Sequence, residues 1–323
     1  MQLIMMGTGD FAVPTFRRLI DGGYNLRLLV TQPDRPQGRH QQLAPAAIKQ
    51  LALERGVDVF QPESVNTPES IERIASLRPD LLVVAAYGQI LSDAVLRVPR
   101  LGGVNLHASL LPKYRGAAPV NWAIYHGETV TGVTVIRMTP RVDAGAILLQ
   151  AQTPIGLDET ASDLEVRLAE LGAPLVGQAI DGLAVGTLLG RKQDRSQATQ
   201  APKLTREHGL IDWTRTAAGV CDQVRAMQPW PMAYTFFRRG GSGTVERLII
   251  EGTLCEPSSS LPGRRSEPGM IAVGDDPGSL VVEAGDGFVR ILRLRPAGKR
   301  SMTAEEFMRG HRAQPADRFG PER

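Results

Sequence analysis

The chain has 323 residues, of which 42% are hydrophobic and 22% charged, and its formal net charge is +3 at pH 7. This composition is that of a globular protein, and the length favours two domains. The mild positive charge permits a polyanionic partner without requiring one, and no apolar run approaches the ~18 residues that a membrane span needs. Two cysteines, Cys221 and Cys255, argue against a disulfide framework and fit a cytoplasmic protein.

Short apolar runs alternate with segments of helical spacing through the first half of the chain. The apolar runs predict strands at residues 2–6, 25–31, 57–60, 81–86, 103–107, 131–138 and 147–154. Helical spacing predicts helices at residues 14–21, 45–55, 68–77, 92–96 and 162–183. Because strands and helices that alternate form right-handed crossovers, this order predicts an α/β fold with an open, mostly parallel, doubly wound, Rossmann-like sheet. We assign this first domain to residues 1–188.

The sequence changes character after residue 188. The stretch GRKQDRSQATQAP is polar, and we interpret residues 189–205 as a linker. Beyond it, short β-rich pieces separated by Gly, Pro and Ser turns predict a small C-terminal β-barrel over residues 206–311. The polar residues 312–323 are predicted to form a mobile tail.

A dinucleotide-type pattern follows the first predicted strand. The segment GTGDFA, residues 7–12, fits G-x-G-x-x-A, and Asp34 follows the second strand, where dinucleotide enzymes place a ribose-binding acid. Pro14 lies close behind the turn, and two prolines restrict the backbone around Asp34. We therefore favour a tight turn that binds no nucleotide, and keep an NAD-dependent dehydrogenase as an alternative.

The stretch VNLHASLLPKYRGAAP, residues 104–119, places polar side chains at the end of a predicted strand. Asn105, His107 and Ser109 alternate with apolar residues and therefore share one face. In a doubly wound sheet, ligands bind beyond the carboxyl ends of the strands. An Asn amide donates to a developing oxyanion, and a His transfers a proton near neutral pH. The pair suits attack at a carbonyl-type carbon; the other interpretation is that both side chains satisfy loop backbone.

Two further loops carry charged side chains. Asp143 lies between two predicted strands, from which its carboxylate would reach and orient the His107 imidazole, although Asp-x-Gly is also an ordinary turn. Arg35 and Arg39 lie among Gly and Pro on a long exposed loop. That setting suits phosphate contacts, and it equally suits a solvated loop.

Several chemistries are excluded by the absence of their motifs. The chain has no Gly-x-Ser-x-Gly elbow and no GxxxxGK[ST] loop, so the sequence implies neither Ser-based hydrolysis nor ATP. Its five histidines and two cysteines lack the spacing of metal ligands, so we predict no metal. No helix face is visibly self-complementary, and we therefore expect a monomer.

One extended stretch resembles a known family. VNLHASLLPKYRGAAPVNWAI, followed by TGVTVIRMTPRVDAG, resembles the signature of the 10-formyltetrahydrofolate-dependent formyltransferases. The resemblance covers nearly the whole chain, and HGLIDW, QPWPMAY and LRPAGKRSM resemble the branch that formylates methionyl initiator tRNA. It implies formyl transfer from 10-formyltetrahydrofolate to the α-amino group of that tRNA in translation initiation. The folate would be a co-substrate and not a tightly bound cofactor, and the C-terminal barrel would be OB-like and would face the tRNA.

The resemblance also assigns residues. It implies that Asn105, His107 and Asp143 are catalytic. It implies that two loops contact the folate, through Ser109, Leu110, Leu111, Pro112, Tyr87, Gly88, Ile90 and Leu91. It implies that Arg35 and Arg39 contact the tRNA.

The sequence departs from the family at two places. Gly9 stands where the family often has proline, and this creates the dinucleotide-type pattern. His40, Gln41 and Gln42 stand where relatives frequently carry lysines, which weakens the loop as a clamp on a polyanion. The first alternative is a folate-dependent formyltransferase or hydrolase with a small-molecule substrate, and the dehydrogenase comes last.

Overall fold

The computed structural model of the chain describes residues 1–37, 42–43, 45–240, 245–256, 267–272, 278–311, 314 and 317–322. The chain forms two compact units. The first comprises Met1–Pro119, Val130–Pro154 and Asp163–Pro202, and the second comprises Val120–Thr129, Ile155–Ser162 and Lys203–Arg323. The two units therefore alternate along the sequence instead of meeting at one boundary.

The elements are numbered in chain order. The strands are β1 (Gln2–Gly7), β2 (Asn25–Val30), β3 (Pro36–Gln37), β4 (Gln42–Leu43), β5 (Val59–Phe60), β6 (Leu81–Ala85), β7 (Gly103–His107), β8 (Arg115–Gly116), β9 (Val130–Arg137), β10 (Ile147–Pro154), β11 (Gln200–Ala201), β12 (Ala233–Arg238), β13 (Val245–Glu256), β14 (Ile271–Ala272), β15 (Leu280–Glu283), β16 (Phe288–Pro296), β17 (Met302–Thr303) and β18 (Arg318–Gly320). The helices are α1 (Val13–Asp21), α2 (Ala47–Glu54), α3 (Pro68–Ser76), α4 (Asp93–Leu96), α5 (Pro119–Tyr125), α6 (Ala161–Ala184), α7 (Ala217–Ala226) and α8 (Ala304–His311). Within the described ranges, no helix combines the length and the apolar character that crossing a membrane requires.

The first unit is built on a seven-stranded sheet with the strand order β10-β9-β7-β6-β1-β2-β5. Neighbours from β7 to β5 pair in parallel, and β9 runs antiparallel to both β7 and β10. Strand β6 is buried along its whole length, as expected of a strand covered on both faces. The predicted doubly wound, mostly parallel fold is confirmed.

Local sequence explains where several elements begin. The Thr67 hydroxyl caps α3 by accepting a hydrogen bond from the Ser70 backbone N–H at 3.2 Å, and Ser92 caps α4 in the same way. Gly7 ends β1 where a Cβ would lie 2.7 Å from Ala12 Cβ, so only glycine fits this turn. Five of the helices lie within two residues of the predicted bounds, whereas α5, α7 and α8 were not predicted.

The second unit contains a nearly closed antiparallel barrel. Its strand order is β14-β15-β16-β13-β12-β18, with β17 paired to β16. A bridge between Met270 and Arg318 joins the start of β14 to β18. Inside, the rings of Phe237 and Phe307 lie edge to face, with centroids 5.5 Å apart. The predicted C-terminal β-barrel is confirmed.

Two polar segments pair with distant strands, which the sequence-based interpretation did not anticipate. Strand β18, within the expected mobile tail, pairs with β12, and its Phe319 is only 1% exposed. Within the expected linker, β11 pairs with β8, and Arg191 forms a bridge with Ile147. Both segments differ from expectation because pairing through main-chain hydrogen bonds to a distant strand requires few apolar side chains.

Candidate active site

Asn105 and His107 lie at the carboxyl end of β7, between β6 and β9 in the first sheet. Their neighbour Leu106 points to the opposite face, where a Cβ on Gly172 of α6 would lie 2.6 Å from it. The alternation of side chains therefore turns Asn105 and His107 away from α6. His107 is 5% exposed, and Asn105 is half-buried.

Asp143 reaches these two residues from the loop between β9 and β10. Its Oδ1 lies 3.4 Å from Asn105 Nδ2, and its Oδ2 lies 3.5 Å from His107 Nδ1. The Gly116 backbone N–H donates to the same Oδ2 at 3.0 Å. Asp143 itself has φ = 49°, in the left-handed region, which costs a non-glycine residue about 1–3 kcal/mol and is found mainly where surrounding contacts impose it. The structure thus brings the three expected residues together.

The surroundings of the His107 ring define its orientation. Nε2 lies 2.8 Å from the Tyr114 carbonyl oxygen, and Nδ1 faces the Asp143 carboxylate. Both oxygens only accept hydrogen bonds, so a neutral imidazole satisfies one of them and an imidazolium satisfies both. These two contacts fix the plane of the ring between the Tyr114 carbonyl and the Asp143 carboxylate.

The loop that follows β7 is held by buried polar contacts. The Ser109 hydroxyl donates to the Lys113 carbonyl at 2.7 Å, and the Ser109 carbonyl accepts from Thr134 Oγ1 at 2.6 Å. Leu111 packs into a buried apolar cluster with two strand residues. The side chains of Ser109 and Leu111 therefore shape this loop from within, while Leu110 and Pro112 are partly exposed.

The second expected folate loop follows β6. Tyr87 and Leu91 are 2% and 3% exposed and belong to the apolar core of the first unit. Burial raises the pKa of Tyr87 to about 12, so its hydroxyl stays neutral. Ile90, in contrast, is 69% exposed. Of this loop, the Ile90 side chain and the main chain around Gly88 are open to a ligand.

A cavity of about 450 Å³ lies at the carboxyl ends of β1, β2 and β6, and Thr8, Gln32 and Gly88 are among the residues that line it. The catalytic candidates do not line it. Asp34 is at its wall, but its carboxylate pairs with Lys49 and accepts a hydrogen bond from Gln61 at 2.9 Å. The hydrogen bond from Lys49 holds the pKa of this carboxyl below its ordinary value. Asp34 is therefore already engaged by protein groups, unlike a ribose-binding acid.

The two arginines assigned to tRNA are placed differently. Arg35 is exposed and forms a 3.5 Å ion pair with Glu63, which is exposed as well. Such a pair contributes little to stability, so the Arg35 guanidinium is available to a phosphate. Arg39 lies outside the described residues.

Sequence reasoning missed the groups that surround Asp143. Gly116 and Tyr114 contribute main-chain atoms, and Gln193 donates to the main chain of Asp143 and of Gly145. Main-chain contacts leave no side-chain pattern, and Gln193 lies in a segment whose polar composition suggested a linker. The only signal was the glycine at position 116, which has φ = 126°.

The fold and this site agree with the comparison to protein families. A profile described as Formyl transferase matches residues 1–180, and one described as Formyl transferase, C-terminal domain, matches residues 203–312. The chain belongs to the formyl transferase family, and it is therefore a group-transferring enzyme.

Two similar proteins indicate which group of formyl transferases this chain resembles. The methionyl-tRNA formyltransferase of Geobacter sulfurreducens is 43% identical over 320 residues, which cover 99% of this chain and 97% of that one. The methionyl-tRNA formyltransferase of Methylococcus capsulatus is 45% identical over 311 residues, which cover 96% of this chain and 97% of the other.

Solved structures share the fold. An N-formyltransferase from Helicobacter canadensis, in complex with folinic acid and dTDP-3-aminofucose, has a TM-score of 0.64 at 18% identity and covers 90% of this chain and 97% of its own. A sugar 3N-formyl transferase solved with dTDP and 5-N-formyl-THF has a TM-score of 0.65 at 16% identity and covers 93% of this chain and 99% of its own. At such identities the likeness concerns the fold alone.

Proposed function

We propose that this enzyme transfers the formyl group of 10-formyltetrahydrofolate to the α-amino group of methionyl initiator tRNA. The observation that carries the proposal is the 43% identity to a methionyl-tRNA formyltransferase over 99% of the chain, which includes the C-terminal unit. The enzyme acts in the cytoplasm, as a monomer, and folate is its co-substrate.

In the proposed mechanism, Asn105 and His107 stabilise the tetrahedral intermediate. The amine nitrogen attacks the formyl carbon, and negative charge develops on the formyl oxygen. The Asn105 amide lies 3.4 Å from Asp143, a distance at which a hydrogen bond is weak, so it is free to turn towards that oxygen. One donor of this kind contributes ~3 kcal/mol, or about 10²–10³ in rate.

Asp143 has two roles in this mechanism. Its carboxylate orients the His107 ring, an N–H of which then donates a hydrogen bond to the formyl oxygen or to the leaving nitrogen. The carboxylate, or a water beside it, accepts the proton that the amine loses. The bond from the formyl carbon to N10 breaks, and N10 takes up the proton that the carboxylate or the water received from the amine. Proton transfer by a positioned group contributes roughly 10²–10⁴-fold.

The acceptor tRNA binds through its phosphates in this proposal. The exposed Arg35 guanidinium and the Arg39 side chain supply contacts from the first unit. The barrel of the second unit supplies further basic side chains. Contacts of this kind release counterions and make binding depend on salt.

One assay tests the function against its alternatives. The purified chain is incubated with 10-formyltetrahydrofolate and charged initiator tRNA, and the product is hydrolysed and analysed for formylmethionine. Parallel reactions contain charged elongator tRNA, a dTDP-amino sugar, or no acceptor. We expect formylmethionine on the initiator tRNA and little turnover elsewhere. Preferred formylation of the sugar would point to a small-molecule transferase, and equal folate turnover without acceptor would point to a hydrolase.

A further inference from the structure

The side chain of Gln193 uses its full hydrogen-bonding capacity beside Asp143. Its Nε2 donates to the carbonyl oxygens of Asp143, at 2.8 Å, and of Gly145, at 2.7 Å. Its Oε1 accepts from Arg115 Nε at 3.1 Å and from Arg115 Nη2 at 2.6 Å. The two carbonyl oxygens only accept hydrogen bonds, and the guanidinium only donates them. The Gln193 amide therefore makes all four hydrogen bonds in one orientation only.

These bonds hold the loop that carries the Asp143 carboxylate. Asp143 is in the left-handed region, with φ = 49°, and such strain persists only where neighbouring groups impose it. At Gly145 a Cβ would lie 1.7 Å from the Arg137 carbonyl oxygen, so the loop is pressed against the end of β9. Gln193 bonds to the carbonyls of both residues and thereby fixes the direction in which the Asp143 side chain leaves the loop.

The same segment also holds the opposite side of the site. The Arg115 N–H donates to the Thr199 carbonyl at 2.9 Å, and the Tyr114 N–H donates to Thr199 Oγ1 at 2.8 Å. Strand β11 then pairs in parallel with β8. Through these bonds, Gln193, Thr199 and strand β11 fix the Tyr114 carbonyl that meets His107 and the Gly116 N–H that meets Asp143.

We propose that Gln193 is a positioning residue of the active site, which sets the Asp143 carboxylate against Asn105, His107 and the Gly116 N–H. The inference rests on the catalytic role of Asp143 in the proposed function. Gln193 contacts the main chain of Asp143 and not its carboxylate, so it acts through that residue. One residue of the stretch that resembles a linker in sequence thereby supports the catalytic site.

The test begins with Gln193→Glu, which keeps the size of the side chain and replaces the donor by an acceptor. A carboxylate oxygen would then face the two carbonyl oxygens at the distances that Nε2 now occupies, while the contact with Arg115 is kept. We expect kcat for formyl transfer to fall by about 10²-fold, the loss typical of a misplaced reacting group, with KM for both substrates within about threefold of the wild-type values.

The matched control is Gln197→Glu in the same segment, where the exposed amide donates to the exposed Asp194 carboxylate. Equal kcat in the two variants would overturn the proposal.

A double-mutant cycle separates positioning from a general structural role. If Gln193 acts only through Asp143, then Gln193→Glu should lower kcat little further in an Asp143→Asn background. Should the two losses multiply, Gln193 acts independently of Asp143 and the proposal is wrong. Thermal unfolding is measured alongside, and Gln193→Met, which removes the donors without adding charge, replaces the Glu variant if that variant does not fold.

A spectroscopic readout keeps the proposal testable apart from formylation. The Gly116 amide proton donates to Asp143 Oδ2 at 3.0 Å, so displacement of the carboxylate should move its NMR resonance upfield and speed its hydrogen exchange. We expect this change in Gln193→Glu and not in Gln197→Glu. An unchanged Gly116 resonance would contradict the proposal, whereas a wild-type chain that does not formylate methionyl-tRNA would contradict the proposed function.

Discussion

At the scale of single residues, the site depends on one carboxylate with several partners. Asp143 accepts a hydrogen bond from the Gly116 N–H and faces Asn105 and His107. His107 in turn meets a carbonyl oxygen at its other nitrogen. The Asp143 anion thus lies beside two hydrogen-bond donors, Asn105 and His107. In the proposed mechanism, these donors bind most strongly when negative charge develops on the formyl oxygen. An interaction that is stronger in the transition state than in the ground state lowers the activation barrier.

Asn105→Ala tests the donor role of the amide. Its bond to Asp143 is long and half-buried, so we expect little change in stability. We expect kcat to fall about 10²–10³-fold, as for removal of one oxyanion donor. Steady-state kinetics and thermal unfolding measure the two effects, with Asn25→Ala, at an exposed position of β2, as control. A kcat close to that of the control would rule out the donor role.

The sequence indicated which polar side chains lie close together better than it indicated which residues of the two loops are exposed. Asn105 and His107 are polar residues at the carboxyl end of β7, where ligands bind in such a sheet, whereas Asp143 comes from the loop after the antiparallel strand β9. Whether a loop residue faces a cleft or the core depends on the path of the chain, which the sequence does not state. Ala86, with φ = 44°, precedes Tyr87, and the Tyr87 ring lies in the core.

At the scale of elements, strand β18 is the clearest case of order in a polar segment. Its Phe319 packs against Phe237 and Trp213, with ring centroids 5.5 and 5.9 Å away. Asp317, 1% exposed, accepts from the Gly240 N–H at 2.7 Å. One aromatic residue and main-chain pairing are enough to hold the strand, and neither gives a periodic pattern in the sequence.

Phe319→Ala should destabilise the second unit. Removal of a fully buried ring typically costs about 3–5 kcal/mol of unfolding free energy. Urea denaturation measures the loss, and Phe236→Ala, at a partly exposed position on the other face of β12, is the control with a smaller expected loss. If both variants lose the same free energy, β18 is not part of the core in solution.

At the scale of the whole molecule, the order of strands and helices was enough to predict the fold class. Alternation implied the parallel sheet, and closely spaced short strands implied the barrel. The limits of the two units could not be predicted, because residues 120–129 and 155–162 belong to the second unit although they lie within the predicted first domain. Local periodicity carries no information about which unit a short segment joins.

The dependence of tRNA binding on salt belongs to this scale as well. If phosphates are contacted, the logarithm of the binding constant falls linearly with the logarithm of the salt concentration. Arg35→Ala should lessen that slope by about 1 and weaken tRNA binding, with folate binding and stability unchanged. Filter binding at several salt concentrations measures the slope, and Arg97→Ala, which removes an exposed arginine of a surface ion pair, is the control. If the salt dependence of binding has the same slope in both variants, Arg35 does not contact the tRNA.

The most direct test of the account is single-turnover formyl transfer from 10-formyltetrahydrofolate to methionyl initiator tRNA, followed in the wild type and in Asp143→Asn. The account predicts complete formylation by the wild type and a rate constant lower by about 10²–10⁴-fold in the variant, which still binds both substrates. A variant that transfers the formyl group at close to the wild-type rate would contradict it.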